Sequence, residues 1–270
     1  EVARRCTVSE TYFLRNIEQF HALEAVIRAR ADRGLRYLRI LSAGCSTGEE
    51  AYSLAITVRA ALGNLDGWNI TIVGCDLNPD VLAVAVTGRY RAWSLRDTAD
   101  EVRRTWFRES DGQFALDASV RSMVRFERRN LARDDPSFWT TDRFDVVFCR
   151  NVLMYFEPQQ MHDVVQRVAR SLTVGGHLFL GHAENLRGVS QDFHLRNSHG
   201  TFYYERRPGP LPAPQPLPYA PAPLVVPLGD TSWFDAIARS SSRIEELSRP
   251  RSPAARRAPS SPAPLAPAMD

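Results

Sequence analysis

The chain has 270 residues, 44% of them hydrophobic, enough for one sizeable core. A formal net charge of +3, with arginines scattered among acids, gives no reason to expect a nucleic-acid partner. Cys6, Cys45, Cys75 and Cys149 lie far apart with no C-x-x-C pairing, which argues against a disulfide framework or a metal site and for a reducing, cytoplasmic setting. With neither a signal-peptide pattern nor a long apolar run, no integral membrane segment is expected. The chain opens on Glu1 rather than Met, and a fragment of a longer protein is expected.

In chain order, the spacing predicts a strand at Leu38–Ser42, a helix at Glu49–Leu62, a strand at Asn69–Cys75 and a short helix at Pro79–Val86, its proline suited to the first turn. Arg89 to Arg121 breaks the alternation. It mixes Tyr90, Trp93, Trp106, Phe107 and Phe114 with charges around a hairpin turn at Ser110-Asp111-Gly112, and reads as an inserted small subdomain. A third strand is predicted at Met123–Glu127 and a fourth, continuously apolar, at Phe144–Cys149. A helix begins at Pro158 with Met161, Val164, Val165, Val168 and Leu172 as its core stripe. Gly175-Gly176 is expected to end that helix, HLFLGH to form a fifth strand, and Phe202–Glu205 a last β segment. The whole reads as a doubly wound α/β domain without internal repeats. After Arg207 the composition changes: of 18 prolines, all but Pro79, Pro136 and Pro158 fall there. LPAPQPLPYAPAP reads as an extended linker, and Trp233–Leu247 as a marginal amphipathic helix within a disordered tail.

Ligands of open α/β sheets bind outside the carboxyl ends of the strands. Here the first strand ends in Gly44-Cys45-Ser46-Thr47-Gly48 followed by Glu49 and Glu50, the second in Asp76, the third in Asn130-Leu131 and the fourth in Arg150-Asn151-Val152. The G-x-x-x-G turn lacks the complete dinucleotide fingerprint, and two acids stand where a pyrophosphate would meet the helix. Asp76 is placed to accept hydrogen bonds from ribose hydroxyls. A nucleoside with a cationic substituent satisfies these conditions, and S-adenosylmethionine is the common example. Singly, Glu50 reads as a helix N-terminal acid, Asp76 as a helix cap and Asn151 as a turn residue; together they favour a ligand site.

From Val8 to Arg206 the sequence resembles the CheR-type chemotaxis receptor methyltransferases, through SETYFLRN, SAGCSTGEEAYSLAI, VGCDLNPDVLAVAVTGRY, RRNL, FDVVFCRNVLMYF and GHAENL in that order. The resemblance implies a mostly parallel class I methyltransferase sheet with a small inserted antiparallel β subdomain, and methyl transfer from S-adenosylmethionine to receptor glutamates as methyl esters. It implies cofactor contacts from Ser9, Thr11, Arg15, Glu50, Asp76, Asn130, Leu131, Asn151 and Val152, beside Gly44 of the strand-end turn, with Arg15 and Tyr155 handling the acceptor carboxylate. Ser9 stands where well-known members have asparagine. The helical domain usual ahead of this core has no counterpart in the sequence, and WFRESDGQFAL lacks the Gly-x-Gly element with which some members dock a receptor-tail pentapeptide. The expected organisation is a methyltransferase domain at 1–207, its inserted subdomain at about 89–121, and a proline-rich tail or linker at 208–270. The partner is a chemoreceptor-like protein, contacted through the inserted subdomain or the tail. Three rival readings remain: a dehydrogenase, disfavoured by the first turn; a methyltransferase for a small-molecule acceptor; and a non-catalytic S-adenosylmethionine sensor, against which the presence of Arg15 and Tyr155 argues.

Overall fold

The computed structural model describes residues 10–209. Ser9, Cys6, and the tail with its Trp233–Leu247 segment lie outside the described residues. The elements are α1 (Ile17–Asp32), β1 (Tyr37–Ala43), α2 (Glu49–Leu62), β2 (Asn69–Asp76), α3 (Pro79–Thr87), β3 (Arg89–Tyr90), α4 (Asp100–Trp106), β4 (Phe107–Ser110), β5 (Gln113–Leu116), α5 (Ala118–Arg121), β6 (Val124–Arg128), β7 (Phe144–Cys149), α6 (Pro158–Ser171), β8 (Leu172–Leu180), β9 (Phe193–Ser198) and β10 (Thr201–Arg206). Seven strands form one sheet in the order β6-β2-β1-β7-β8-β10-β9. The first five run parallel, whereas β10 lies antiparallel to both β8 and β9. The order reverses at β1, so the carboxyl ends of β1, β2 and β7 frame the crevice where such sheets bind ligands.

Alternation along the strands builds a core on each face. Leu38 and Ile40 of β1, Val146 and Phe148 of β7, and Phe179 of β8 pack in one cluster with α1 and α2. Leu41, Ala43, Val147, Cys149, Leu178 and Leu180 face the other, against Val164, Val165 and Val168 of α6. Beneath α1 the rings of Phe20, Phe148, Phe179 and Tyr203 form a row, with Phe148 and Phe179 stacked at 4.4 Å. Cys45, Cys75 and Cys149 are buried free thiols, and burial pushes the Cys75 pKa up to about 12.

The insertion between α3 and β6 is a three-stranded antiparallel sheet, β3-β5-β4, with α4 alongside. Asp111 and Gly112, both at positive φ, make its two-residue hairpin turn between Ser110 and Gln113. Phe13 pins this sheet to the main domain by edge contacts to Tyr90 and Phe107, at 4.8 and 4.9 Å.

Three features differ from expectation. Gly175-Gly176 does not end the helix, which stops at Ser171; both glycines lie inside β8. The register of β8 against β7 jumps there from Phe144↔Leu172 to Val146↔His177, so the glycines absorb an irregularity. A Cβ on Gly176 would meet the carbonyl oxygens of Thr173 and Asp145 at 2.8 and 3.0 Å. The other two features, helix α1 and strand β9, are absent from the predicted elements. The Phe20, Leu23, Ile27 spacing of α1 is helical, whereas HLRN in β9 is an exposed, polar edge with no apolar signal.

Candidate functional site

At the carboxyl edge of the sheet the strand ends and the segment ahead of α1 enclose a cavity of about 530 Å³. Thr11, Arg15, Gly44, Glu50, Asp76, Asn130, Leu131, Asn151, Val152 and Tyr155 all line it. Each is put there by local structure. The Gly44–Gly48 turn reverses between β1 and α2 with Gly44, Ser46 and Gly48 at φ 78°, 49° and 94°. Gly44 and Cys45 donate their backbone N–H groups to the Cys75 carbonyl. The Asp76 carboxylate accepts from Ser46 N and Asn78 N, each at 2.9 Å. Asp76 therefore shapes the turn, and each of its oxygens keeps a lone pair for a hydroxyl. Asn78, not Asp76, caps α3, accepting from Asp80 N at 2.9 Å.

The two acids after the turn separate. Glu49 is buried away from the cavity, accepting from Thr47 Oγ1 at 2.6 Å and from Ser94 Oγ, next to the inserted subdomain, at 2.9 Å. Glu50 faces the cavity, accepts from Ser42 Oγ at 2.7 Å and lies 3.7 Å from Arg150 Nη1. Burial raises the Glu50 pKa above the ordinary carboxylate value, opposed by the Arg150 charge, the Ser42 hydrogen bond and Arg15.

Arg150 is the main site residue that the sequence motifs leave without a role. It is 6% exposed, lines the cavity, and donates from Nη2 to the Arg15 carbonyl and to Asn16 Oδ1, both at 2.7 Å. Its Nε and Nη1 are buried without a hydrogen-bond partner among the described residues. Such donors are costly unless an acceptor meets them, and the nearest acid is Glu50, whose Oε2 lies 3.7 Å from Nη1. Glu184 is the second omission. Its carboxylate accepts from Gly181 N and Asn151 N at 2.8 Å and from Val152 N and Leu153 N at 2.9 Å. One side chain from the β8 end thus fixes the turn at the β7 end. Applying the strand-end rule to the fifth strand would have found it.

Strain concentrates here. Leu14, Asn16, Ser46 and Asn151 are non-glycine residues at φ between 49° and 61°, a conformation that persists where the surroundings enforce it. Leu14 N donates to Ser53 Oγ, and Gln19 Nε2 donates to the Leu180 carbonyl, holding the Arg15 loop over the strand ends. Tyr155 sits on the 3-10 turn Leu153–Tyr155 and is 51% exposed, so it is not a core aromatic.

The cavity suits an extended, zwitterionic nucleoside. Asp76 and the Asn130-Leu131 pair stand at the β2 and β6 ends, while Glu50, Arg15 and Arg150 gather toward β7 and the α1 loop. Spanning β6 to β7 crosses three strand spacings, roughly 14 Å, with the Glu50 carboxylate and the Arg15 and Arg150 guanidinium groups at one end. Gly44 is essential to the shape, because a Cβ there would collide with Val152 Cγ2. Gly44→Ala is expected to weaken S-adenosylhomocysteine binding at least about tenfold, through positive-φ strain and displacement of Val152. Calorimetry on Gly44→Ala and on Gly44→Ala/Val152→Ala checks this, the double variant regaining part of the loss.

The β6-β2-β1-β7-β8-β10-β9 sheet, with its cavity at the carboxyl edge, defines a class I S-adenosylmethionine-dependent methyltransferase. Residues 9–202 match the family model described as CheR methyltransferase, SAM binding domain. The chain belongs to the CheR methyltransferase family. It is 36% identical over 201 residues to a probable chemotaxis protein methyltransferase of Rhizobium etli, covering 71% of this chain and 73% of that one. It is 33% identical over 198 residues to the chemotaxis protein methyltransferase of Listeria monocytogenes, covering 73% and 72%. Among solved structures it is similar to the DszA carbon methyltransferase, with 18% identity, a TM-score of 0.41, and coverage of 61% of this chain and 34% of that one.

Proposed function

We propose that the chain transfers the methyl group of S-adenosylmethionine to glutamate side chains of a chemoreceptor-like protein, forming glutamyl methyl esters in the cytoplasm. The observation that carries the reading is the convergence of the strand-end residues on one cavity with Arg15 and the half-exposed Tyr155 among its lining residues. When bound, S-adenosylmethionine supplies a methyl group already activated by its sulfonium. Asp76 takes the ribose hydroxyls, Asn130 and Leu131 border the adenine, and Glu50 accepts from the ligand ammonium. Asn151 and Val152 line the methionine side. An acceptor glutamate is ionised near neutral pH, so no strong base is needed. Its difficulty is hydration, and Arg15 replaces that water, holding one carboxylate oxygen while the other is left to attack. Tyr155 donates a second hydrogen bond. Among the described residues no helix is long and apolar enough to cross a membrane. The inserted subdomain offers the receptor a contact surface beside the cavity.

The test is transfer of tritiated methyl from S-adenosylmethionine into receptor-bearing membranes, with base treatment releasing the label as methanol. Label that resists base would rule out an ester product.

Glu50 gives the reading a pH dependence. Because its folded pKa is raised above 4.5, ionised Glu50 costs the ligand-free protein stability, and that cost disappears as pH falls through the folded value. Ligand binding has the opposite sign, since only the ionised form holds the ammonium. Affinity for S-adenosylhomocysteine is expected to be full above the folded pKa and to drop on acidification, with its midpoint above that of an ordinary glutamate. Calorimetry across pH checks this; Glu50→Gln should bind more weakly and lose that inflection.

A further inference from the structure

We propose that the cavity rim carries a second carboxylate receptor, centred on Arg96, which takes an acidic side chain of the substrate's helix and which the chain's own Glu10 fills until substrate displaces it. The inference rests on the reading above, that the acceptor is a protein glutamate. The Arg96 guanidinium lies 3.8 Å from the Tyr12 ring centroid and 4.3 Å from that of Trp93. Its Nη1 donates to the Trp93 carbonyl at 2.9 Å, so the group is held against both rings with donors to spare. Nη2 donates to Glu10 Oε1 at 3.2 Å.

Three observations make this a receptor for a partner's acid. Glu10 and Tyr12 line the methyltransferase cavity, so the Arg96 cradle adjoins the place where an acceptor must enter. Trp93 is 66% exposed and Met154 and Tyr155 more than half exposed, which gives the entrance an apolar, aromatic border of the kind that partners cover. Charge complementarity then selects the occupant. Arg15 also stands beside the Tyr12 ring, at 5.6 Å, and its Nη1 donates to the Glu10 backbone carbonyl, so two cations flank one aromatic ring. The Glu10 side chain is 60% exposed, and such a pair is weak, so an incoming glutamate replaces it at little cost. Side chains one helical turn apart lie about 5–6 Å from each other. A helix bearing neighbouring glutamates can therefore present one to Arg15 and seat the next on Arg96.

The test measures binding of an alanine-rich helical peptide with two glutamates one turn apart, in saturating S-adenosylhomocysteine, alongside the same peptide with glutamines. The wild type should prefer the glutamate peptide. Glu10→Gln should bind it about threefold more tightly, the size expected for removing a weak competing pair. Arg96→Gln should bind it at least about tenfold more weakly, the loss of a charge-assisted contact. Separate calorimetry with S-adenosylhomocysteine shows whether each variant keeps its fold, and Trp93→Ala, which leaves Arg96 in place, should give an intermediate loss. Failure of the wild type to bind the peptide, equal binding of the two peptides, or unchanged affinity in both Glu10→Gln and Arg96→Gln would overturn the proposal. Methyl transfer that persists without Arg96 dependence sinks the rim receptor alone. Peptide binding without any base-labile methylation instead counts against the functional reading.

Discussion

Glu184→Ala is expected to lower the melting temperature by roughly 6–12 °C, the consequence of losing about 3 kcal/mol in a domain of this size. The carboxylate is the shared acceptor for the backbone N–H groups of Gly181, Asn151, Val152 and Leu153. Bonds to a charged acceptor are each worth more than neutral ones, but these four share two oxygens and do not add. Leu153 is buried, so its amide would lose its partner without gaining water. The consequence for the site exceeds that for stability. Val152 lies directly against Gly44, Asn151 is held at φ 56°, and Tyr155 closes the same turn. Transfer is expected to fall at least about a hundredfold, because small displacements of aligned groups cost that much. Glu184→Gln separates the two effects. It keeps one acceptor oxygen and should recover about half of the lost stability, since a neutral bond is worth roughly half a charged one, while its NH2 group opposes two of the amides. A Gln variant that melts near the wild type yet transfers poorly would identify Glu184 as a positioning residue. Full activity in it would show that the turn holds itself.

The sheet was legible wherever apolar alternation or a continuous apolar run marks a strand. Phe144–Cys149 and Glu49–Leu62 have the predicted bounds. Most other bounds shift by a residue or so, as with Tyr37–Ala43 against Leu38–Ser42, because pairing to a neighbour extends a strand beyond its apolar centre. The fifth strand departs further: it begins at Leu172, which the apolar stripe assigns to the helix, rather than at His177. The strand-end rule brought distant residues to one cavity because parallel strands with right-handed crossovers leave their carboxyl ends on one edge. What stayed hidden depends on interactions without sequence periodicity. Arg150 in CRNV looks like any arginine until Nε and Nη1 prove buried. Glu184 acts through amides some thirty residues away. Glu49 and Glu50 look equivalent in sequence, yet helical rotation sends one to the subdomain and the other to the cavity. Gly175-Gly176 has the signature of a helix stop and serves as a strand irregularity, since a glycine pair states what the backbone can do and not which neighbour requires it.

Arg15→Ala is expected to abolish most transfer while cofactor affinity changes little. The loop around Arg15 explains why the variant should fold: the side chain contributes one exposed hydrogen bond, to the Glu10 carbonyl, and the other anchors do not use it. The Arg15 carbonyl accepts from Arg150, Leu14 N donates to Ser53, and the positive-φ residues Leu14 and Asn16 flank it, all untouched by removal of the side chain. Arg150 explains why affinity should survive. It lines the same cavity, so its charge remains near a ligand carboxylate when Arg15 is removed. Arg150 cannot take over the acceptor, because it is 6% exposed and cannot reach out to a protein surface. Activity should therefore fall at least about a hundredfold more than affinity. Arg15→Lys should restore little, since a point charge cannot reproduce a planar fork that holds one oxygen and leaves the other free. The control is Arg150→Met, which keeps the bulk of the side chain but removes its donors. It should weaken S-adenosylhomocysteine binding by calorimetry more than Arg15→Ala does. If the order is reversed, Arg15 is the cofactor clamp, and Tyr155, half exposed beside the cavity, becomes the residue that orients the acceptor.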